Sequence, residues 1–405
     1  PSYKNSGVEW LGDVPEHWQI VRTKDIFNHR KEEALEDDEI VTAFRDGQVT
    51  LRKNRRTDGF TNSIKEHGYQ HINNGDLVIH EMDAFAGAIG VSDSSGKSTP
   101  VYTVCYAKNE NINHHFYSHF FRTMAKTGFI NSLAKGIRVR STEFRWNESR
   151  NVYLAEPPKA DQEKIVSFLD TETARIDNLI AKQEKLIELL EEQRKSIISH
   201  AVTKGLNPNA PMKDSGVEWL GDVPEHWKIG RLKNLLSINN GSDYKEFEVA
   251  NSENSYPVYG SGGVFTYSSK YIYDQESVLL GRKGTINKPL YVTSPFWAVD
   301  TMFYSQVKQG VHGKYVYYQA LGFPYDRYSS NTALPSMTQT DLLNLSVAIP
   351  SISEQIEITQ FLDNENTKFD KLIGTQSQLI EKLKEYRSSI ISHAVTGKID
   401  VREFC

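Results

Sequence analysis

QEKIVSFLDTETARIDNLIAKQEKLIELLEEQRKSIISHAVT, residues 162–203, returns at residues 355–396 as QIEITQFLDNENTKFDKLIGTQSQLIEKLKEYRSSIISHAVT, with more than half of the positions unchanged. Proline precedes both copies (Pro157-Pro158 and Pro350) and glycine follows them (Gly205 and Gly397), as start and stop signals of helices do. Steps of three and four from Leu169 give Leu169, Glu172, Ile176, Leu179, Gln183, Leu186, Leu190, Gln193 and Ile197. The second copy gives Leu362, Glu365, Phe369, Leu372, Gln376, Leu379, Leu383, Tyr386 and Ile390. A seven-residue apolar repeat predicts a coiled-coil seam rather than a broad core-facing stripe. Gln183 and Gln376 fall at equivalent seam positions, where a polar residue fixes register at some cost in stability. A helix over about 161–203 would be ~64 Å long at ~1.5 Å per residue. Its apolar stripe is too narrow for it to stand alone, and its own copy is the expected partner. A chain that runs out along one helix, through a globular block and back along the other makes that pair antiparallel. The bland alternative is two unrelated helices, each buried in a separate core.

A second string is duplicated without a change: SGVEWLGDVPEHW at 6–18 and again at 215–227. The order is therefore W-motif, variable block, helix, twice over. The blocks, roughly 28–156 and 237–349, do not resemble one another over most of their length. A solenoid would need more and shorter units. The expected fold is α+β with pseudo-two-fold organisation. Residues 1–156 form the first block with its W-motif, and 157–205 the first long helix. Residues 206–349 hold a linker, the second W-motif and the second block, and 350–405 the second long helix and a tail. A length of 405 residues suits more than one core.

The formal net charge of -5 argues mildly against nucleic acid unless basic residues cluster locally. No apolar run reaches the roughly 18 residues of a membrane span, and Pro1-Ser2-Tyr3-Lys4 does not open a signal peptide. The only cysteines are Cys105 and Cys405, which disfavours a disulfide framework or a cysteine-based zinc site. The expectation is a cytoplasmic protein.

The arrangement resembles the specificity subunit of Type I restriction-modification systems over essentially the whole chain. The duplicated SGVEWLGDVPEHW carries the resemblance, with the helix starts EPPKADQEKIVSFLD (156–170) and IPSISEQIEITQFLD (349–363) and the helix ends SIISHAVTKG and SIISHAVTGK. The resemblance implies that the blocks are target recognition domains of mixed α/β fold, each reading a short half-site of a bipartite, asymmetric double-stranded DNA target. It also implies that the two long antiparallel helices act as a coiled-coil spacer and as a docking surface for two methyltransferase subunits. A restriction/translocase subunit would complete the assembly. No cofactor is then expected in this chain; S-adenosylmethionine would belong to the partner methyltransferase, and ATP and Mg to the motor. The second helix start has Ser351 where the first has Pro158, and Ser353 is expected to cap it. Two rivals share the architecture: a specificity subunit whose partner fuses methyltransferase and nuclease, and an inert coiled-coil scaffold.

In the first block FRDGQVTLRKNRRTDGF (44–60) carries Arg45, Arg52, Lys53, Arg55 and Arg56. A second cluster holds Lys135, Arg138, Arg140 and Ser141, followed by Arg145. Arginine suits both phosphate forks and bidentate reading of guanine. Acidic residues from Glu32 to Glu39 lie in a different stretch, so the net charge leaves room for a basic face. His80 ends a strand-like run and is a candidate to face the groove, although a satisfied core histidine is the commoner outcome. In the second block, Tyr256 to Gly263 (YPVYGSGG) resembles a stretch found in one class of these recognition domains, and offers Tyr259, Ser261 and Gly262. Arg282 and Lys283 follow a strand-like run, and the loop NTALPSM contributes Asn331, Thr332, Ser336 and Met337 as candidates for base contact. For a single charge cluster the competing reading is a solvated surface; for most tyrosines it is strand packing.

Near-misses remove several chemistries. Ser95-Gly96-Lys97-Ser98 has Val91 where a phosphate loop needs glycine, and it leads into Thr99-Pro100. Glu156 precedes Pro157-Pro158 and no aromatic follows, unlike the Pro-Pro motif of adenine methyltransferases. The chain is expected to be no enzyme. His17 and His226, like His200 and His393, are products of duplication without ligands at metal spacing, and are read as structural.

Overall fold

The computed structural model describes residues 2–55, 67–133, 144–328 and 335–401. They fall into two compact units, Pro1–Lys182 with Leu379–Cys405, and Gln183–Gln378. The division runs through the long helices rather than at their ends. Among the described residues no helix is long and apolar enough to cross a membrane.

In the first unit, strands β1 (Phe27–His29), β2 (Leu77–His80), β3 (Ile89–Val91) and β4 (Tyr102–Ala107) make one antiparallel sheet in the order β1-β4-β2-β3. The helix α1 (His114–Lys126) follows, with the Asn113 side chain accepting from the backbone of His115 and Phe116 as its cap. Phe116, Phe120 and Met124 repeat every four residues and are buried with Tyr117 and Phe121. Each such ring or side chain contributes about 1.5–3 kcal/mol by leaving water. The first long helix, α2 (Lys159–Lys204), comes next.

The second unit repeats the plan. Strands β5 (Leu236–Asn240), β6 (Ser277–Gly281), β7 (Leu290–Val292) and β8 (Met302–Val307) form a sheet in the order β5-β8-β6-β7. Helix α3 (Gly313–Ala320) and the second long helix α4 (Ile352–Val395) follow. Two blocks with little sequence in common thus share strand order, pairing sense and the helix after the last strand. The hydroxyl of Tyr117 donates to the Ala155 carbonyl at 3.2 Å, and that of Tyr315 to the Ala348 carbonyl at 3.2 Å. Each unit also carries a hairpin between its first two sheet strands, Val41–Ala43 with Val49–Leu51 in the first and Tyr256–Gly260 with Gly263–Ser268 in the second, the latter part of a further four-stranded sheet.

The duplicated motifs fasten each block to the helices. In the first unit Trp18 Nε1 donates to Asp161 Oδ2 at 3.3 Å, and His17 Nε2 lies 2.8 Å from the same oxygen. In the second unit Trp227 Nε1 and His226 Nε2 meet Glu354 Oε1 at 3.1 and 2.7 Å. Both carboxylates sit in the first turn of a long helix, and each indole also lies against the glycine that ends the other long helix. A Cβ on Gly397 (φ +72°) would fall 2.9 Å from Trp18, and one on Gly205 (φ +74°) 3.2 Å from Trp227. Gln162 and Gln355, which open the long repeat, are buried for a similar reason. Gln162 donates to the Pro157 carbonyl and accepts from Asn113 N, and Gln355 does the same with Pro350 and His312.

Ser351, not Ser353, caps α4. Its hydroxyl accepts from Glu354 N at 3.4 Å while Glu354 accepts from Ser351 N at 3.1 Å, a capping box written in Ser351-Ile352-Ser353-Glu354. Burial raises the pKa of Glu354, but hydrogen bonds from His226, Ser351 and Trp227 outweigh it and hold the carboxyl at about 2. A carboxylate depressed in the folded state stabilises fully above its unfolded pKa of about 4.3 and loses that contribution as pH falls towards the folded value. Between about pH 4.5 and 2 the melting temperature of the wild type is therefore expected to fall more steeply than that of Glu354→Gln. Parallel curves would remove Glu354 from the acid response.

The long helices meet within each unit. In the first, Arg387 forks onto Asp177 at 2.8 and 3.1 Å. In the second, Arg194 donates to Asn366 and Asp370 at 2.7 and 2.8 Å. Leu169, Ile176, Leu362, Phe369 and Ile390 are buried, and Leu190, Ile197 and Leu383 half-buried. The other row of the expected seam is displaced by one residue. Leu179, Leu186, Leu372 and Leu379 are 37–46 % exposed, whereas Ile180, Ile187 and Ile373 are half-buried and Ile380 is buried. The sequence places two apolar residues side by side at each of these points, and the isoleucine is the one that is covered.

Candidate nucleic-acid interface

The first unit carries a cleft of about 740 Å³ beside the hairpin Val41–Ala43 with Val49–Leu51. Arg45, Arg52, Arg55 and His80 line it together with Phe44, Thr42 and Tyr102. Arg55 lies 4.3 Å from the Phe44 ring centroid and forks onto Asp46 at 2.6 and 2.9 Å. That pairing holds the Asp46 carboxyl below its usual range. Arg45 donates to Asp83 at 3.0 Å, and Arg52 Nε to the Thr42 hydroxyl at 3.4 Å. His80 packs on Tyr102 with centroids 4.6 Å apart, accepts from Asp83 N, and has its pKa lowered by burial.

The structure corrects the charge argument. Glu39, from the acidic stretch Glu32 to Glu39, is an ion-pair partner of Lys53, so an acid distant in sequence offsets a candidate cation in space. Because exposed pairs contribute only about 0–1 kcal/mol each, a phosphate could take over such a cation at small cost. Arg56, Lys135, Arg138, Arg140 and Ser141 lie outside the described residues, as do Asn331 and Thr332 of the second block.

In the second unit, backbone hydrogen bonds string the candidate stretches into one rim. Val299 N donates to the Tyr259 carbonyl at 3.1 Å, and Arg282 N and Lys283 N to the Thr301 carbonyl at 2.9 and 3.2 Å. Gly284 N reaches the Pro335 carbonyl at 2.9 Å, Met337 N reaches that of Arg282 at 3.0 Å, and Lys283 bridges Ser336. Ser261 and Gly262 form the turn of the Tyr256–Ser268 hairpin, closed by Gly263 at φ +109°. Lys283 and Gly262 are exposed, and Ser261 and Ser336 half-buried. Met337 is buried in the core beside Leu342 and Val347, because the loop re-enters the sheet there; it packs and does not reach a base. Tyr259 is half-buried against Phe296, and Tyr273 packs on Phe296 and Tyr304, as strand-packing rings do.

Two exposed apolar residues on this rim escaped the sequence reading. Val264 and Phe265, 45 % and 55 % exposed, follow the Gly-Gly turn. An apolar pair straight after a hairpin glycine was the available signal. Among the described residues, no group of three or more His, Cys, Asp or Glu side chains could hold a metal ion.

Comparison with known proteins agrees with this organisation. The family model for the Type I restriction modification DNA specificity domain matches twice, at residues 15–189 and 224–385. The chain is similar to the Type I restriction enzyme MjaVIII specificity subunit of Methanocaldococcus jannaschii, at 22 % identity over 96 % of this chain and 94 % of that one. It is also similar to the EcoprrI specificity subunit of Escherichia coli, at 24 % identity over 44 % of this chain and 41 % of that one. Among solved structures, a chain from a study of complex assembly and conformational transition of the type I R-M system superposes with a TM-score of 0.73 at 14 % identity. That match covers 95 % of this chain and 99 % of the other. The HsdS subunit of Thermoanaerobacter tengcongensis superposes with a TM-score of 0.56 at 15 % identity, covering 95 % and 98 %. Two matched repeats, each holding the same four-stranded sheet, the His and Trp that anchor the block and a cation-bearing rim, place this chain in the Type I restriction modification DNA specificity family, as a subunit that supplies DNA sequence specificity.

Proposed function

We propose that the chain is a non-catalytic reader of a bipartite, asymmetric double-stranded DNA target, one half-site to each recognition domain. The observation that carries this reading is a common scaffold with unlike rims. The two sheets have the same strand order, yet one unit offers a cleft lined by Arg45, Arg52 and Arg55 and the other a glycine-rich hairpin beside Arg282 and Lys283. Different side chains on one scaffold read different bases, and phosphate contacts from the remaining cations fix register. The long helices are the spacer, paired antiparallel as a coiled coil; the ion pairs Asp177–Arg387 and Arg194–Asp370 and the covered rows around Ile176 and Phe369 support it. Two methyltransferase subunits and a restriction/translocase subunit are the proposed partners. S-adenosylmethionine then belongs to the methyltransferase, and ATP with Mg to the motor.

Sequencing of methylated positions in DNA from cells carrying this chain and its partners tests the reading. The expected result is one motif of two unlike halves around an unread gap. A continuous motif, or two identical halves, would overturn it.

A further inference from the structure

The two rims differ by an exchange at three equivalent positions. Strand pairing aligns them: His80 faces Tyr102 in the first sheet as Gly281 faces Met302 in the second, and Ile79 faces Thr103 as Leu280 faces Phe303. The residue after each central strand is therefore the same place in the fold, and it is Glu81 in one unit and Arg282 in the other. Their backbones are held identically. Glu81 N donates to the Val101 carbonyl and Arg282 N to that of Thr301, both at 2.9 Å. The Glu81 carbonyl accepts from Phe144 N and that of Arg282 from Met337 N, both at 3.0 Å.

One position further on, Arg145 and Thr338 are the N-caps of equivalent short helices, Trp146–Ser149 and Gln339–Leu343. Thr338 caps its helix by accepting from Asp341 N, whereas Arg145 makes no side-chain cap bond. Arginine is not a capping residue. A position that abandons its local structural role is where function is expected. The Arg145 guanidinium turns instead to Glu81, with Nε 3.7 Å from Oε2. Glu81 is itself held by the buried Thr103 hydroxyl, which donates to its other oxygen at 2.9 Å. In the second unit the residue in place of Thr103 is Phe303, whose ring centroid lies 5.9 Å from the Arg282 guanidinium carbon; Arg282 Nη1 donates to the Asp300 carbonyl at 3.3 Å. Thr103, Glu81 and Arg145 of the first unit thus stand where Phe303, Arg282 and Thr338 stand in the second. Three residues change together, and each rim keeps one guanidinium at this point, delivered from a different backbone position.

Resting on the bipartite reading above, we propose that Arg145 and Arg282 are the guanine-reading residues of the first and second recognition domains, and that Glu81 is the positioning residue for Arg145. A guanidinium beside such an acceptor still presents a planar donor fork, which fits the O6 and N7 acceptors of guanine in the major groove. The Arg145 side chain is 57 % exposed and that of Glu81 only 12 %, so the arginine makes the contact and the glutamate stands behind it.

The test uses the chain assembled with its methyltransferase subunits, on a DNA library randomised across both half-sites, with methylated positions read by sequencing. Arg145→Thr installs the cap that the other unit carries, so its melting temperature is expected to equal or exceed that of the wild type. It should lose discrimination at one guanine of the first half-site by roughly five- to a hundred-fold, leaving the second half intact. Arg282→Ala should do the same at one guanine of the second half-site. Glu81→Gln should relax the same base as Arg145→Thr, the double variant should relax it no further, and Glu81→Asp should keep most of the discrimination. A uniform loss across all sequences with a shallower salt dependence marks a phosphate contact and overturns the assignment, as does relaxation at a base other than guanine. If the wild type yields no two-part motif, the bipartite reading fails; a two-part motif untouched by these variants removes only the guanine readers.

Discussion

Trp227→Ala is expected to destabilise the second unit by about 3–5 kcal/mol, the range for deleting a buried large aromatic. The indole is almost wholly buried and touches three segments at once: its own W-motif, Gly205 at the end of α2, and Glu354 at the start of α4. Truncation leaves a cavity and removes one donor from a carboxylate that also depends on His226 and Ser351. Trp227→Phe separates the two effects, keeping most of the ring and costing about 1 kcal/mol for the lost hydrogen bond beyond any repacking. Trp18→Ala should act likewise on the first unit through Asp161 and Gly397. Amide exchange measured unit by unit is the suitable readout, since a chain of two units need not unfold in one step. A loss below about 1 kcal/mol for either alanine variant, far short of the buried-aromatic range, would mean that the indoles are not the fastenings described.

The second large effect concerns spacing. Seven residues inserted between Lys182 and Gln183, with seven more between Gln378 and Leu379, add two helical turns at the places where the compact units divide. If the helix pair is the spacer, the half-sites stay as they were and the gap grows by about 3 base pairs, from ~10.5 Å of added helix at ~3.4 Å per base pair. Seven residues return a helix nearly to its starting face, whereas about 3 base pairs turn the duplex by roughly a third of its 10–10.5 base-pair repeat. Methylation at the new spacing should therefore be slower. Sequencing of methylated DNA reads both quantities, and altered half-sites or an unchanged gap would sink the spacer.

Duplication made the scaffold legible. An identical W-motif and a repeat beginning at Gln162 and Gln355 required no knowledge of packing, and the buried indoles and amides explain why those residues were kept. The shared sheet was not legible, because burial and pairing hold a strand with little regard for identity: Leu77-Val78-Ile79-His80 and Ser277-Val278-Leu279-Leu280-Gly281 occupy the same place with different side chains. The displaced seam row had a local cause. Leu179-Ile180 and Leu379-Ile380 each offer two neighbouring apolar residues to one stripe, and a heptad count cannot choose between them. At the candidate interface, runs of like charge were visible but their partners were not, since Lys53 meets Glu39 only after the chain has folded back. Glu81 drew no attention as a lone acid; it acquires meaning only when strand register shows it to be the counterpart of Arg282 in the second unit.

The first unit is assembled from both ends of the chain, Pro1–Lys182 and Leu379–Cys405, whereas the second is one unbroken stretch, Gln183–Gln378. On the ribosome, where domains tend to fold as they emerge, the half made later is thus the earlier to be finished. Its counterpart must wait for Ile390, Ala394 and Val401 to arrive before its core closes, so a nascent chain halted short of residue 379 would hold one completed reader and one still open.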